Sequence, residues 1–260
     1  MTFLTFFYLF LLFLGLVISQ EIFYRFPRFS LYFFAIGSVI LFPCWVLLIG
    51  VDDWFAWMKV LTIALGILLL SVLRNTRLGQ TVFVRWATYA FLVVNIMEAV
   101  VKDFTTGTIA NYLNVVAGIL LVLTLNRIDT IRIRTTRQKD LRWTAMTMAW
   151  IVGYTLWNWV FVYLNFGFQS AMAHVAVLGS ALMMAFVDKE RWLQARLFTL
   201  GTFFMIFHSF PHLGARLSGG DVYPGFGMVV AFIAAGFMLV YATIVLKREF
   251  RQRKAWQENA

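Results

Sequence analysis

Residues able to carry chemistry lie inside apolar stretches of this chain, and the densest group occupies positions 95–103. Asn95, Glu98 and Lys102 follow one another at intervals of three and four residues, so they share one face of a predicted helix. The order of Glu98 before Lys102 favours an ion pair, and Lys102 at the end of an apolar run can extend its amine toward water. Glu98 is therefore either neutralised by Lys102 or available to a ligand.

Amide and aromatic side chains recur at similar predicted depth in the neighbouring apolar stretches. Polar groups within a bilayer normally face a bundle interior or a water-filled cavity, so we expect these side chains to surround one pocket. For a single asparagine, a hydrogen bond between helices is the simpler interpretation. Within the pocket Glu98 would supply charge, and Tyr154 with Trp157 would form an aromatic wall able to hold a cation. The residues predicted to bind the solute are Asn95, Glu98, Asn111, Asn114, Tyr154, Trp157, Asn158 and His174.

The three histidines suggest a different chemistry. His208 and His212 have the i, i+4 spacing that places two imidazoles on one helical face, and His174 would supply a third nitrogen for zinc. This pattern resembles the three-histidine membrane hydrolases, the alkaline ceramidase and adiponectin-receptor-like group, and the resemblance implies a zinc-dependent hydrolase. Only the histidine pair matches, because the serine and aspartate of that group have no counterpart here. Binding without a metal is favoured over a zinc site at His174, His208 and His212.

Composition requires that these residues be positioned by membrane helices. The chain has 260 residues, of which 62% are hydrophobic and 13% charged, whereas soluble domains carry about a quarter charged residues. Apolar runs near the ~20 residues needed to cross a bilayer recur throughout. We predict an all-α, polytopic transmembrane helical bundle with nine spans in a single domain. The spans cover residues 2–19, 30–50, 54–73, 86–101, 108–125, 143–164, 168–187, 197–210 and 225–246.

The basic residues predict an orientation. With the amino terminus outside and the carboxy terminus in the cytoplasm, 19 of the 22 Lys and Arg residues fall in cytoplasmic segments. Lys59, Lys102 and Arg216 alone fall on the outer side, where Asp52, Asp53 and Asp103 are expected to be solvated loop charges. This asymmetry follows the positive-inside rule, so the net charge of +10 indicates membrane topology and not nucleic-acid binding.

Two basic segments lie in the predicted cytoplasm, a loop at 126–142 and a tail at 247–260. The loop could bind anionic lipid headgroups, but anchoring of the topology is the simpler interpretation. Cys44 is the only cysteine, which excludes an intrachain disulfide and a cysteine-based zinc site.

A second resemblance covers about half of the chain. The runs at 140–143, 153–165, 191–200 and 210–211 are similar to a family of uncharacterised bacterial multi-pass inner-membrane proteins. The matching positions are Asn95, Asp103, Asn114, Trp157, Asn158, Tyr163, Asn165, Trp192, Gln194, Arg196 and Thr199. Thr155 departs from the pattern, which has an aspartate there, and the resemblance implies no activity.

The sequence thus favours a membrane protein that binds or transports a small solute through an outward-facing polar pocket. A metal-dependent hydrolase is the alternative, and a non-catalytic assembly or interaction subunit is a third possibility. The expected partners are membrane lipid and a small-molecule solute, and the expected location is a bacterial inner membrane.

Overall fold

The computed structural model describes residues 3–50, 52–125, 127–210, 212–213 and 217–258, with side chains to residue 252. It is helical apart from one short hairpin and three 3₁₀ turns at Arg77–Gln80, Ile128–Thr130 and Lys189–Arg191. The helices are α1 Phe3–Arg25, α2 Pro27–Leu48, α3 Trp54–Asn75, α4 Phe83–Thr106, α5 Ile109–Leu123, α6 Met148–Asp188, α7 Trp192–Ser209 and α8 Pro224–Glu258. The strands are β1 Ile131–Ile133 and β2 Leu141–Trp143.

Capping residues explain where several helices begin and end. Asp53 accepts a hydrogen bond from the amide of Ala56 at the start of α3, and Thr147 does the same for Trp150 at the start of α6. Gly107 ends α4 in a left-handed conformation with φ of 77°, which costs a glycine little. Thr108 then caps α5, so α4 and α5 form a helical hairpin with a connection of two residues.

Helix α6 folds back on itself at Gly167. Asn158 and His174 would lie about 24 Å apart in a straight helix, yet their side chains meet at 2.9 Å. Gly167 has φ of 84°, and a Cβ atom there would lie 2.1 Å from the carbonyl oxygen of Gly220. The segments on either side of Gly167, here called the first and second arms of α6, are therefore antiparallel neighbours.

The basic loop at 126–142 contains the hairpin, which the sequence analysis did not predict. Ile131 pairs with Trp143 and Ile133 with Leu141, and all four side chains are buried. Because Arg132 alternates with the two isoleucines, it points away from the bundle. The end of the molecule that carries β1 and β2 is called the hairpin end below, and the other end is called the opposite end.

Arg74 attaches the hairpin to the helices. Its guanidinium donates to the carbonyl oxygens of Phe23 and Tyr24, each at 2.9 Å, at the end of α1. It also donates to the carbonyl oxygens of Gln138 at 2.8 Å and Lys139 at 3.0 Å, between the strands. Terminal helix carbonyls have no partner within their own helix, so this buried arginine satisfies groups that would otherwise be costly to bury.

Asp140 is the second attachment point of the hairpin. Its fully buried carboxylate accepts from Arg134 at 2.9 Å and from Arg142 at 2.7 Å, and Arg142 also pairs with Asp188 and Glu190. Burial alone would raise the pKa of Asp140, but hydrogen bonds from Arg134 and Arg142 and attraction to their charges lower the pKa below its ordinary value. Hairpin and α6 are therefore held together by charge-assisted hydrogen bonds.

Six helical stretches in the described residues are long and apolar enough to cross a membrane, with α6 and α7 counted as one stretch, and α5 is shorter. The helices overlap all nine predicted spans in the sequence, but length and composition support six. Nine crossings and the orientation therefore remain predictions. Large apolar side chains on α1, α2 and α8 are exposed, as expected for helices that face lipid.

Candidate functional site

A cavity of about 430 Å³ lies among α3, α4, both arms of α6, α7 and the segment at 217–219. Five buried polar side chains line it: Lys59, Asn95, Asn158, His174 and Arg196. The remaining wall includes six phenylalanines, Phe55, Phe161, Phe166, Phe203, Phe204 and Phe207. The cavity extends from these polar groups to the exposed Asp53 at the opposite end. A largely apolar pocket with a few convergent polar groups is typical of small-molecule sites.

One polar group of the cavity is an ion pair between two helices. The Nζ atom of Lys59 lies 2.8 Å from a carboxylate oxygen of Glu98 and donates to the carbonyl oxygen of Asn95 at 3.1 Å. Thr62 donates to the same Glu98 oxygen at 3.2 Å. Both charged side chains are buried, so the pair links α3 to α4 in the interior of the bundle.

Glu98 is therefore paired with Lys59 and not with Lys102, which was one of the two alternatives left open by the sequence, and helix packing explains why. Gly66 admits the ring of Phe91 so closely that a Cβ atom at Gly66 would lie 1.9 Å from it. Lys59 lies seven residues before Gly66 and Glu98 seven residues after Phe91, so in antiparallel helices that meet at this point both come to the same height, two turns away. Lys102 lies 5.9 Å from the centre of the Phe55 ring instead.

The second polar group surrounds the guanidinium of Arg196. Its Nη2 atom donates to Asn158 Oδ1 at 3.3 Å and lies 3.3 Å from His174 Nε2. The histidine nitrogen lies 2.9 Å from the same asparagine oxygen. Because an amide oxygen only accepts, Nε2 of His174 carries the proton in that contact. The two arms of α6 and helix α7 are thus joined at a single atom, Oδ1 of Asn158.

Arg196 has hydrogen-bonding capacity to spare. The side chain is 4% exposed, and its Nε and Nη1 atoms are buried with no acceptor among the described residues. The guanidinium carbon lies 6.0 Å from the centre of the Tyr154 ring, which gives it a partial electrostatic partner. Its contacts to Asn158 and His174 are with neutral groups, so the positive charge is not balanced locally.

Asp103 is the centre of a separate polar cluster outside the cavity. Its carboxylate accepts from Asn111 at 2.6 Å, Asn114 at 2.7 Å and Asn165 at 2.6 Å. The side chain is fully buried, so the expectation of a solvated loop charge at Asp103 is wrong. This cluster ties α4, α5 and the first arm of α6 together. Asn111 and Asn114 therefore contact Asp103 and do not line the cavity.

Tyr154 and Trp157 belong to an aromatic stack that backs the cavity and does not form its wall. Tyr154 lies 5.5 Å from Trp150 and 5.0 Å from Trp192, measured between ring centres. Trp157 donates from its indole nitrogen to the carbonyl oxygen of Asn114 at 3.0 Å. The cation near this stack is the protein's own Arg196, which makes the stack a support for the guanidinium.

Comparison with known families decides what the chain belongs to. A family described only as a family of unknown function, DUF5692, matches residues 1–259. The chain is a member of this family. The match covers nearly the whole chain, whereas the resemblance found in the sequence covered about half. No curated protein and no solved structure matches the chain.

In this DUF5692 protein the histidines do not converge. His174 and His208 line the cavity, but α7 ends at Ser209 and His212 is exposed, so the helical spacing assumed for His208 and His212 does not exist. Among the described residues, no three His, Cys, Asp or Glu side chains form a group that could hold a metal. Pro211, between the two histidines, lies outside the described residues.

Of the residues predicted for the pocket, the cavity wall of this DUF5692 protein includes Asn95, Asn158 and His174. Glu98 contributes indirectly through Lys59. Sequence reasoning missed Lys59, counted as an outer-side charge, and Arg196, counted in a cytoplasmic segment. Arg196 did appear in the resemblance, between Trp192 and Thr199, and the helix that begins at Trp192 is buried on all sides over this stretch, which places Arg196 inside the bundle.

Proposed function

We propose that the protein binds a small solute in the cavity, as a solute-binding membrane protein or a transporter. The observation that carries this proposal is the convergence of five buried polar side chains from four helices on one space of about 430 Å³. Structural hydrogen bonds alone would be better served by direct packing, as in the Asp103 cluster, which leaves no comparable space. Binding and transport both need such a pocket, so the proposal covers both.

We also propose that the hairpin end faces the cytoplasm and that the cavity faces outward, in a bacterial inner membrane. The support is the distribution of charge. The hairpin, the ends of α1 and α3, and the tail of α8 carry most of the Lys and Arg residues. Asp53, by contrast, lies at the cavity's exposed edge. A solute from outside would therefore meet the cavity first.

Narrowing the cavity tests the proposal. Ala56 lines the cavity on the first turn of α3, so Ala56→Phe should block the solute with little effect on the cap at Asp53. Ala90→Phe is the matched control, because Ala90 is exposed on α4. Mass spectrometry of small molecules extracted from purified protein should find a bound compound in the wild type and the control. The compound should be lost from Ala56→Phe.

Two results would contradict solute binding in this cavity. One is a wild-type protein purified from its native membrane that carries no stoichiometric small molecule and gains no thermal stability from any member of a metabolite library. The other is a compound that remains bound at full occupancy in Ala56→Phe, since it would then occupy another place.

A further inference from the structure

The charges that line the cavity do not cancel. Lys59 is balanced by Glu98 at 2.8 Å, but Arg196 has no carboxylate within ion-pair distance among the described residues. The acidic residue of the wall, Asp53, is exposed and caps α3 at the opposite end. The interior of the cavity therefore carries one positive charge in excess.

We infer that the ligand is a monoanion, a single carboxylate on an apolar body, and that Arg196 binds the carboxylate. This inference rests on the proposed function, since it assigns a chemical class to the solute of that cavity. It also reverses the sign of the charge expected from the sequence, where Glu98 and an aromatic wall suggested a cation.

The unused donors of Arg196 support a carboxylate. Burying an ion costs several kcal/mol even after relaxation, and a neutral acceptor such as Asn158 Oδ1 repays only part of that cost. Nε and Nη1 of the guanidinium have no acceptor among the described residues. A guanidinium presents its N–H groups as a planar fork that matches the two oxygens of a carboxylate. A carboxylate that accepts from Nε and Nη2, or from Nη1 and Nη2, would thus supply the missing charge and one of the two missing acceptors.

The remaining wall specifies the rest of the ligand. Phenylalanines dominate the surface between Arg196 and the opposite end, including Phe161, Phe203 and Phe207, so the body attached to the carboxylate should be apolar. A second negative charge is disfavoured, because Lys59 is already paired and Asp53 would repel it. A single carboxylate therefore fits better than a phosphate, which carries close to two charges at neutral pH.

A matched ligand series tests the charge class. Phenylbutyrate, phenylbutyramide and phenylbutylamine share one apolar body and carry an anionic, a neutral and a cationic head group, respectively. Their affinities for purified protein in lipid nanodiscs are measured by calorimetry and by thermal shift. We expect phenylbutyrate to bind roughly tenfold to a hundredfold more tightly than the amide, which is the range for a hydrogen-bonded charged group. The amine should bind most weakly.

Two variants and one control assign the effect to Arg196. Arg196→Gln removes the charge, and Asn158→Asp places a carboxylate at the oxygen that lies 3.3 Å from Nη2. Asn158→Asp keeps the guanidinium and so remains informative if Arg196→Gln folds poorly. Both should reduce carboxylate affinity about tenfold or more while the amide changes little. Arg132→Gln removes an exposed positive charge from the hairpin and should leave all three affinities unchanged.

Octanoate serves as the second carboxylate and separates two sources of ligand. Tighter binding of octanoate than of phenylbutyrate indicates a lipid-derived acid, and the opposite order indicates an aromatic acid; either order supports the inference. Wild-type preference for the amide or the amine would overturn the anion assignment while leaving solute binding intact. Carboxylate affinity unchanged in both Arg196→Gln and Asn158→Asp would also overturn it. Failure of every compound, together with no copurified molecule, would count against the cavity itself.

Discussion

A buried ion pair such as Lys59 with Glu98 matters most when one partner is missing. The desolvation cost of the remaining charge then has no compensation, whereas replacing both partners by neutral groups removes that cost. We therefore expect Glu98→Gln and Lys59→Met to destabilise the protein by about 3–5 kcal/mol each, and the double variant by much less. Thermal stability of the purified variants in detergent measures this.

Lys102→Met is the control for this cycle, because Lys102 lies one turn from Glu98 on the same helix but near Phe55. It should leave the stability within about 0.5 kcal/mol of wild type, as surface substitutions usually do. If Lys102→Met destabilises as much as Lys59→Met, or if the double variant is no better than the singles, the pairing described here is incorrect.

Substitution of Asp103 distinguishes a role in the stability of the protein from a role in solute binding. Its three hydrogen bonds each involve a charged acceptor, a class that contributes about 1.5–3 kcal/mol per bond, so Asp103→Ala should lower thermal stability markedly. Because the cluster lies outside the cavity, the variant should still bind the solute at temperatures where it is folded. Asp52→Ala, at an exposed position, should change neither property. If Asp103→Ala loses solute binding without losing thermal stability, Asp103 belongs to the binding site.

Metal analysis tests the alternative in which the three histidines form the metal site of a hydrolase. Elemental analysis of protein purified without chelators should find less than about one zinc, iron or copper per chain, because zinc sites generally need three or four converging ligands. His208→Ala should not change that content. A stoichiometric metal that disappears in His208→Ala would favour a hydrolase over a solute binder.

At the scale of elements, the hairpin should be sensitive to acid. The pKa of Asp140 is lowered in the folded protein, so its contribution to stability is fully present above the ordinary aspartate pKa, about 3.9. That contribution is lost as the pH falls through the lower, folded-state value. Asp140→Asn should therefore destabilise the protein by about 2 kcal/mol at neutral pH, and the difference from wild type should shrink in strong acid. Thermal melting from pH 7 into strong acid checks this, and a difference that grows in acid would contradict it.

The same elements show how much of the fold the sequence could predict. Helices of about 20 apolar residues are recognisable because the bilayer sets their length. The hairpin cannot be recognised in this way. The alternation of buried and exposed residues over Ile131, Arg132 and Ile133 is too short to distinguish a strand from a loop. The hairpin is held to the helices by Arg74 and by Arg142, which pairs with Asp188, and these partners come from distant parts of the chain. Such long-range hydrogen bonds leave no periodic signal in the sequence.

The candidate site was predictable to a similar, partial degree. The predicted membrane depth and helical spacing of Asn95, Asn158 and His174 indicated that they share one cavity, because those positions depend only on helix geometry. The same reasoning failed for Glu98, whose partner depends on how closely α3 and α4 approach at Gly66. It failed for Arg196 as well, since a basic residue near a span boundary normally indicates a loop.

At the scale of the whole molecule, the uneven distribution of Lys and Arg residues predicts a membrane topology that can be tested. A reporter fused after residue 260 should indicate the cytoplasm, and one at the amino terminus the outside, because most basic residues lie at the hairpin end. Residue 135, exposed between the strands, should report the same side as the carboxy terminus. Placement of residue 135 and the carboxy terminus on different sides would remove the proposed outward orientation of the cavity.

The reversal of α6 at Gly167 has a consequence for biosynthesis. One residue of extended chain covers less than about 4 Å, whereas the bilayer core is about 30 Å thick. If each arm crosses the bilayer, as the nine-span prediction requires, the turn at Gly167 leaves almost no connecting segment in the water on the far side. The second arm would then return to the face from which the first arm starts, and we expect the two to enter the membrane together as a single hairpin.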